Sequence, residues 1–327
     1  MKLEDVGERA LLALTREICD KGYPVQIGVG DDAASVEIEE GSLVVTTDML
    51  IGGIHFFSDA SAEQIGKKAV VVNLSDLAAM GAKPLGLVYS IGAPGDTDVE
   101  FIPDILQAMN STAREYGAYL IGGDLNEAKE LIISGTALGT AKEDELLLRS
   151  GAKPGDIVAV TGELGASIAA TKAVMSGVSL EDKESLKRAF FEPVARVEEG
   201  RVLSESGKVN SAIDITDGLA ANLWQISRMS GVKLIVDEDK FPINKAAREF
   251  AEEQAIDMDE IVLFGGEDFE LIFTVRSEAW DDLSEKLLDL GTEATKIGVV
   301  EEGSGVFIER GEGPEMLSDR GYEHFLG

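Results

Sequence analysis

The residues in this 327-residue sequence best suited to do chemistry are acids set at the ends of apolar runs, beside glycine or hydroxyl residues. Six are aspartates: Asp31 in GVGDDAA, Asp48 in TTDM, Asp76 in NLSDLAAMGA, Asp124 in IGGDL, and Asp214 with Asp217 in AIDITDGL. Glu267 and Asp268 in FGGEDFE mark a seventh place. A single aspartate there is ordinarily a turn former or a helix cap. Recurrence implies more, because carboxylates that converge in a fold must raise their pKa values or bind cations. With 2 His and 1 Cys in the whole chain, the donors on offer are oxygens. That set suits Mg2+ or another hard ion and excludes a thiolate zinc cluster.

Local geometry sorts the candidates. In an extended TTD segment Thr46 and Asp48 share one face while Thr47 turns away, and Asp214 shares a face with Thr216 in the same manner. Each pair offers a carboxylate with a hydroxyl. Asp32, next to Asp31, points to the opposite side if the chain is extended and is left outside the set. The glycines before Asp124 and Glu267 leave room for a ligand near the backbone, and tight turns would explain them equally well. GVGDDA at 28–33 satisfies the letters of a dinucleotide-binding loop, but it puts two carboxylates where pyrophosphate would sit and runs on into strand-like ASVEI. No Walker loop occurs.

These residues need elements to hold them. Ser61 caps a helix through Ile65, Ala69, Val72 and Ala79, which places Asn73 and Asp76 on one face. Strands are expected over VQIGVGDDAASVEI, SLVVTTDM, LGLVYSIGAP, YLIGGD and ELIISGTALGTA, and a helix over 99–116. Leu3–Cys19 has amphipathic helical spacing. SGAKPGD at 150–156 reads as a linker or sharp turn and divides the chain into domains 1–148 and 149–327. Beyond it come the strand DIVAVTG, helices over 163–175 and 181–206 with a break at Pro193, the strand SAIDITDG and the helix LAANLWQISRMSG. Then follow KLIVDED, a helix near 244–254, a strand LFGGEDFELIFTV, a helix over 281–290, and KIGVVEE with GVFIER as a closing hairpin. Interleaved strands and helices define two layered α/β domains.

Composition bounds the function. Lys and Arg total 29 against 61 Asp and Glu, a net charge of −32, which repels nucleic acid and anionic membrane. A hydrophobic content of 44% suffices for real cores. A lone Cys19 excludes an internal disulfide framework, and the mixed-charge start MKLEDVGERALLALTREICD is unlike a signal peptide, so a cytoplasmic protein is expected.

GVGDDAA, TTDMLIGGIHF, KAVVVNLSDLAAMGAKP, LIGGD, LLRSGAKPGD, IDITDGL and GGEDFELIFTV, in this order, resemble the thiamine-monophosphate kinase family of the aminoimidazole-ribonucleotide-synthetase-like (PurM-like) ATP-binding superfamily. The resemblance runs from about residue 28 to the end. It implies a two-domain PurM-like α/β fold whose N-terminal sheet joins a second subunit in a homodimeric β-barrel, with a C-terminal α/β domain closing over the ligands. It implies Mg2+- and ATP-dependent phosphorylation of thiamine monophosphate to thiamine diphosphate by direct in-line transfer to the substrate phosphate. By similarity, Asp31, Thr46, Thr47, Asp48, Asp76, Asp124, Asp214 and Asp217 hold several Mg2+ ions. Gly123, Asp124, Arg149 and Thr216 contact ATP, and His55, Glu267 and Tyr322 contact thiamine monophosphate. The attacking oxygen belongs to an ionised phosphate, so no general acid or base is assigned. His55 is a binding or packing residue in this scheme, and the Tyr322 ring offers cation–π attraction to a thiazolium. Leu125 and Asn126 replace a hydroxyl common after GGD in the family.

Other readings stand beside this one. Another ATP-dependent enzyme of the superfamily, of purine synthetase or selenophosphate synthetase type, shares the acidic motifs; selenophosphate synthetase needs a reactive Cys near its N-terminus, and a hydrogenase maturation protein of this fold needs a C-terminal Cys. A divalent-ion-binding acidic protein without turnover would bind metal and not ATP.

Overall fold

Alternation in SLVVTTDMLI buries Val44, Thr46 and Leu50 on one face and exposes Thr47 and Met49 on the other, as a half-covered strand requires. In the computed structural model, which describes residues 25–27, 30–57, 60–311 and 313–323, this strand is the centre of the first of two sheets. The segment Leu3–Cys19 lies outside those residues.

The first sheet is built from β1 (Val25–Ile27), β2 (Ala34–Glu37), β3 (Ser42–Ile51), β4 (Lys83–Ala93), β5 (Tyr119–Glu127) and β6 (Ile132–Ala141), in the spatial order β1-β2-β3-β6-β4-β5. Ten paired residues, from Ser42 opposite Ala141 to Ile51 opposite Ile132, lock β3 to β6. Two helices cover one face: α1 (Ala62–Ala79) and α2 (Phe101–Glu115). Helix α1 starts where Ser61 and Gln64 cap each other's backbone N–H groups at 3.2 and 2.9 Å. It is buried nearly all round, because the sheet lies on one side of it and other helices on the other.

The second sheet has the order β13-β12-β9-β11-β7-β10-β8, from β7 (Asp156–Thr161), β8 (Val209–Asp214), β9 (Lys233–Asp237), β10 (Leu271–Arg276), β11 (Ala294–Glu301), β12 (Gly305–Arg310) and β13 (Gly313–Met316). Around it lie α3 (Ala166–Met175), α4 (Glu184–Phe191), α5 (Val197–Glu205), α6 (Leu219–Ser230), α7 (Lys245–Gln254), α8 (Asp259–Val262) and α9 (Trp280–Asp289). Period-2 alternation splits its side chains between two cores. Ile157, Ala159, Leu271 and Phe273 join the core that contains α1, while Val158, Val160 and Ile272 join the one under α3, α6 and α7. The first core is therefore continuous across the two sheets. None of the helices among the described residues is long and apolar enough to cross a membrane.

Two expectations need correction. KIGVVEE and GVFIER make no hairpin: β9 lies between β11 and β12, antiparallel to the first and parallel to the second. LFGGEDFELIFTV is a strand only from Leu271; residues 263–270 form a loop in which Glu267 and Phe269 hold positive φ, 63° and 53°. The break at Pro193 does separate two helices, α4 and α5.

Helices α1 and α5 touch across the two halves, and at Gly200 an added Cβ would stand 2.1 Å from the Ala78 carbonyl oxygen. Backbone cannot yield there as a side chain would. Gly200→Ala should therefore lower unfolding free energy by about 2–3 kcal/mol in urea titrations, and an unchanged midpoint would show that the helices can part freely.

Candidate functional site

Asp76 sits in the last turn of α1, where the helix already presents its partially negative end. Its carboxylate faces those of Asp32 and Asp214, with one oxygen from each of the three within 4.8 Å of the others. Burial, then the charges of Asp48, Asp214 and Asp32, push the Asp76 carboxyl well above the usual range. Burial and Asp32 do the same to Asp214. Hydroxyls partly compensate: Thr46 donates to Asp76, and Ser75 donates to Asp214 at 2.5 Å. Asp48 shares a hydrogen bond with Asp76, and burial followed by the charge of Asp217 raises it to about 6. Crowded, half-dry carboxylates with only oxygen donors around them fit a hard divalent cation.

Asp32 was set aside on the assumption of extended chain, and the structure corrects that. Residues 32–33 form a bend, so strand alternation does not apply. The buried Asp32 carboxylate joins the group and also takes both arms of Arg149, from Nε at 2.9 Å and Nη2 at 3.0 Å. Gln225 accepts from Nη1 at 2.7 Å. Burial alone would lower the Arg149 pKa, but Asp32 more than offsets it and holds the guanidinium charged. Asp31 instead accepts from the backbone N–H of Arg149 at 3.0 Å, pinning the chain where the two halves meet; burial, then Asp32, raises it to about 6.

Asp214 ends β8, but the pairing continues one residue further, with Ile215 N–H donating to the Glu270 carbonyl at 2.8 Å and the Ile215 carbonyl accepting from Phe269 N–H at 3.0 Å, and the chain bends at 216–217. Thr216 lies against the 267–270 loop, its carbonyl accepting from Glu267 N–H at 3.0 Å, and the Asp217 carbonyl accepts from Tyr322 N–H at 2.9 Å in the C-terminal segment. Gly266 is explained by that approach, since a Cβ would meet the Thr216 oxygen at 2.0 Å; Gly123 likewise lies over the Tyr89 carbonyl, at 2.1 Å. Protein backbone, with no ligand, accounts for both glycines.

Thr47 and Asp124 lie elsewhere. Met49, Ser134, Ser90 and Asp124 pair in one row across β3, β6, β4 and β5, so Asp124 is on the open face with Met49 and opposite the face of Asp48. Three strand spacings put it about 14 Å across the sheet. Asn126 donates to it at 2.5 Å.

His55, Glu267 and Lys68, the first residue of the KAVVVNLSDLAAMGAKP motif and one given no role by the sequence, meet beside a pocket lined by Phe56, Phe190 and Phe191. His55 Nδ1 accepts from Ile51 N–H at 3.0 Å, so the neutral ring carries its proton on Nε2. The neighbouring Asp268 accepts from Gly165 N–H at 3.1 Å at the start of α3; burial lifts its carboxyl to about 8. Tyr322 is 52% exposed.

The sequence and the fold both have known relatives. Residues 30–141 match the AIR synthase related protein N-terminal domain, and residues 153–310 match its C-terminal domain. The chain is 43% identical over 299 residues, 91% of each chain, to a thiamine-monophosphate kinase of Pyrococcus horikoshii. It is 35% identical to that of Bacillus subtilis over 92% of this chain and 94% of the relative. A solved structure described as AaThiL complexed with AMPPCP and TMP superposes with a TM-score of 0.88 at 29% identity, covering 99% of both chains.

The crowding has a measurable sign. Unfolded Asp48 would ionise near 3.8 and folded Asp48 near 6, so the native state binds its proton more tightly. Its contribution to stability is full below the lower value and is lost as pH rises through the higher one. Asp48→Asn should therefore stabilise the metal-free protein above about pH 7 by roughly 1–3 kcal/mol and have little effect near pH 4. Denaturant titrations at the two pH values check this; destabilisation by the variant at neutral pH would contradict it.

Proposed function

The chain belongs to the AIR synthase related family, in its thiamine-monophosphate kinase branch, and from that premise we infer that it transfers the γ-phosphoryl group of ATP to thiamine monophosphate, giving thiamine diphosphate and ADP. The observation that carries the reading is the convergence of Asp32, Asp76 and Asp214, joined by Asp48, at the meeting of the two sheets. Both reactants are anions and the chain carries −32, so direct approach is repulsive. These carboxylates, with Thr46 and the Asp217 loop, would hold Mg2+, which supplies charge neutralisation on the phosphates as transfer proceeds.

The rest falls to the chain's own residues. The acceptor oxygen belongs to an already ionised phosphate, so positioning and electrostatics suffice for in-line transfer without a general base. Arg149 is preset: Asp32 and Gln225 take three of its five N–H groups, leaving one on each terminal nitrogen for a nucleotide phosphate. Gly123 and Thr216 are proposed to contact the nucleotide, and His55, Glu267 and Tyr322 the thiamine-bearing substrate. A cytoplasmic setting is consistent with a single cysteine.

Asp124 and Thr47 enter the scheme through a second copy. Their open sheet face and the outer strand β5, where Tyr119, Ile121 and Leu125 are 56, 58 and 61% exposed, support a homodimer in which Asp124 serves the site of the partner.

Conversion of thiamine monophosphate by the purified protein with Mg2+ and ATP tests the activity, and saturating substrates without any diphosphate would reject it. Asp76→Asn should lose at least about 100-fold in kcat with its fold intact. Inactive Asp48→Asn and Asp124→Asn chains, mixed and reannealed, should regain part of the activity, whereas mixtures as dead as the parents would contradict a shared site.

A further inference from the structure

Lys68 lies in the second turn of α1 and is only 4% exposed, though it stands in a stretch, GKKAVVVN, where a lysine on an amphipathic helix would ordinarily reach water. A buried ammonium is costly unless it is paired and hydrogen-bonded. Its Nζ donates to the His55 carbonyl at 2.9 Å and to Glu267 Oε2 at 2.9 Å. It also lies 5.1 Å from the centroid of Phe190, which stacks on Phe57 and meets Phe191 edge-on. His55 and Lys68 belong to the first half of the chain and Glu267 to the second, so one ammonium ties the two halves together at the wall of the aromatic pocket.

Glu267 needs such a tie. It holds φ at +63°, a conformation that costs a non-glycine residue energy and persists only where neighbours over-determine it. Its loop is anchored behind it, Asp268 on the first N–H groups of α3 and Glu270 in a two-armed pair with Arg196 at 2.7 and 2.5 Å. In front, Lys68 takes Oε2 and thereby sets the direction of Oε1. The pair adds no net charge to the wall, so a cationic heterocycle meets an oriented carboxylate without facing a bare ammonium.

We propose that Lys68 is a positioning residue for the thiamine-bearing substrate, acting by orienting Glu267 and the His55 segment and not by contact with the phosphates. The proposal rests on the substrate reading above. Steady-state kinetics of Lys68→Met, Glu267→Gln and the double variant test it. Each single change should raise KM for thiamine monophosphate about 10- to 100-fold, with kcat and KM for ATP within about threefold. The double variant should be no worse than the poorer single, because both act through one pair. Lys68→Arg, which keeps the charge and N–H donors, should recover KM to within about fivefold of the parent. An unchanged KM, equal losses toward both substrates, or multiplicative effects in the double variant would overturn it. If Lys68→Met does not fold, Glu267→Gln, altered at a partly exposed carboxylate, must show the same selective KM rise, and an unaltered KM there overturns the proposal. Failure of the parent protein to make thiamine diphosphate would sink the substrate reading instead, a distinguishable outcome.

Discussion

Repulsion among carboxylates is the constraint on which the structure turns. Asp32, Asp76 and Asp214 are pressed together by elements that have no freedom to separate: the bend before β2, the last turn of α1 and the end of β8. Hydroxyl donors and one arginine relieve part of the charge, yet burial and mutual proximity still hold Asp76 and Asp214 well above the usual carboxylate range. A fold that accepts this cost in its resting state keeps an oxygen-only cluster whose repulsion a hard cation would relieve, which is the basis for the Mg2+ proposal.

Helix α1 is the beam that makes the arrangement possible. One end begins at a capping box and carries Lys68 to the aromatic pocket; the other delivers Ser75 and Asp76 to the acidic group. Between them Asn73 accepts from Asp48 N–H at 3.2 Å and ties the helix to β3. With 1.5 Å of rise per residue, the eight positions from Lys68 to Asp76 span about 12 Å, the separation that the proposed function assigns to substrate-ring binding at one end and phosphate handling at the other. The continuous core across both sheets keeps the two ends in fixed relation to the second half.

Local patterns made much of this legible. TTD in an alternating strand, Ser61 before a helical run, and Arg149 before a Gly-Pro linker all lie where period and turn chemistry put them. What escaped was non-local. Asp32 depended on a bend that letters read as extension. The 263–270 loop reads as a strand, but contacts with α3, Arg196 and residues 215–217 impose its left-handed residues. Lys68 pairs with a residue 199 positions away, and β9 enters between β11 and β12 by a parallel pairing that no hairpin signal records. Asp124 is legible as an acid at a strand end, yet its face follows only from register across four strands.

Calorimetric titration of Mg2+ into the metal-free protein at about pH 6, in two buffers of different ionisation enthalpy, counts the protons released per ion bound. The account predicts saturable binding with release of about one proton or more, abolished by Asp76→Asn. Binding with no proton release, or binding that the Asp76 variant retains in full, would contradict it.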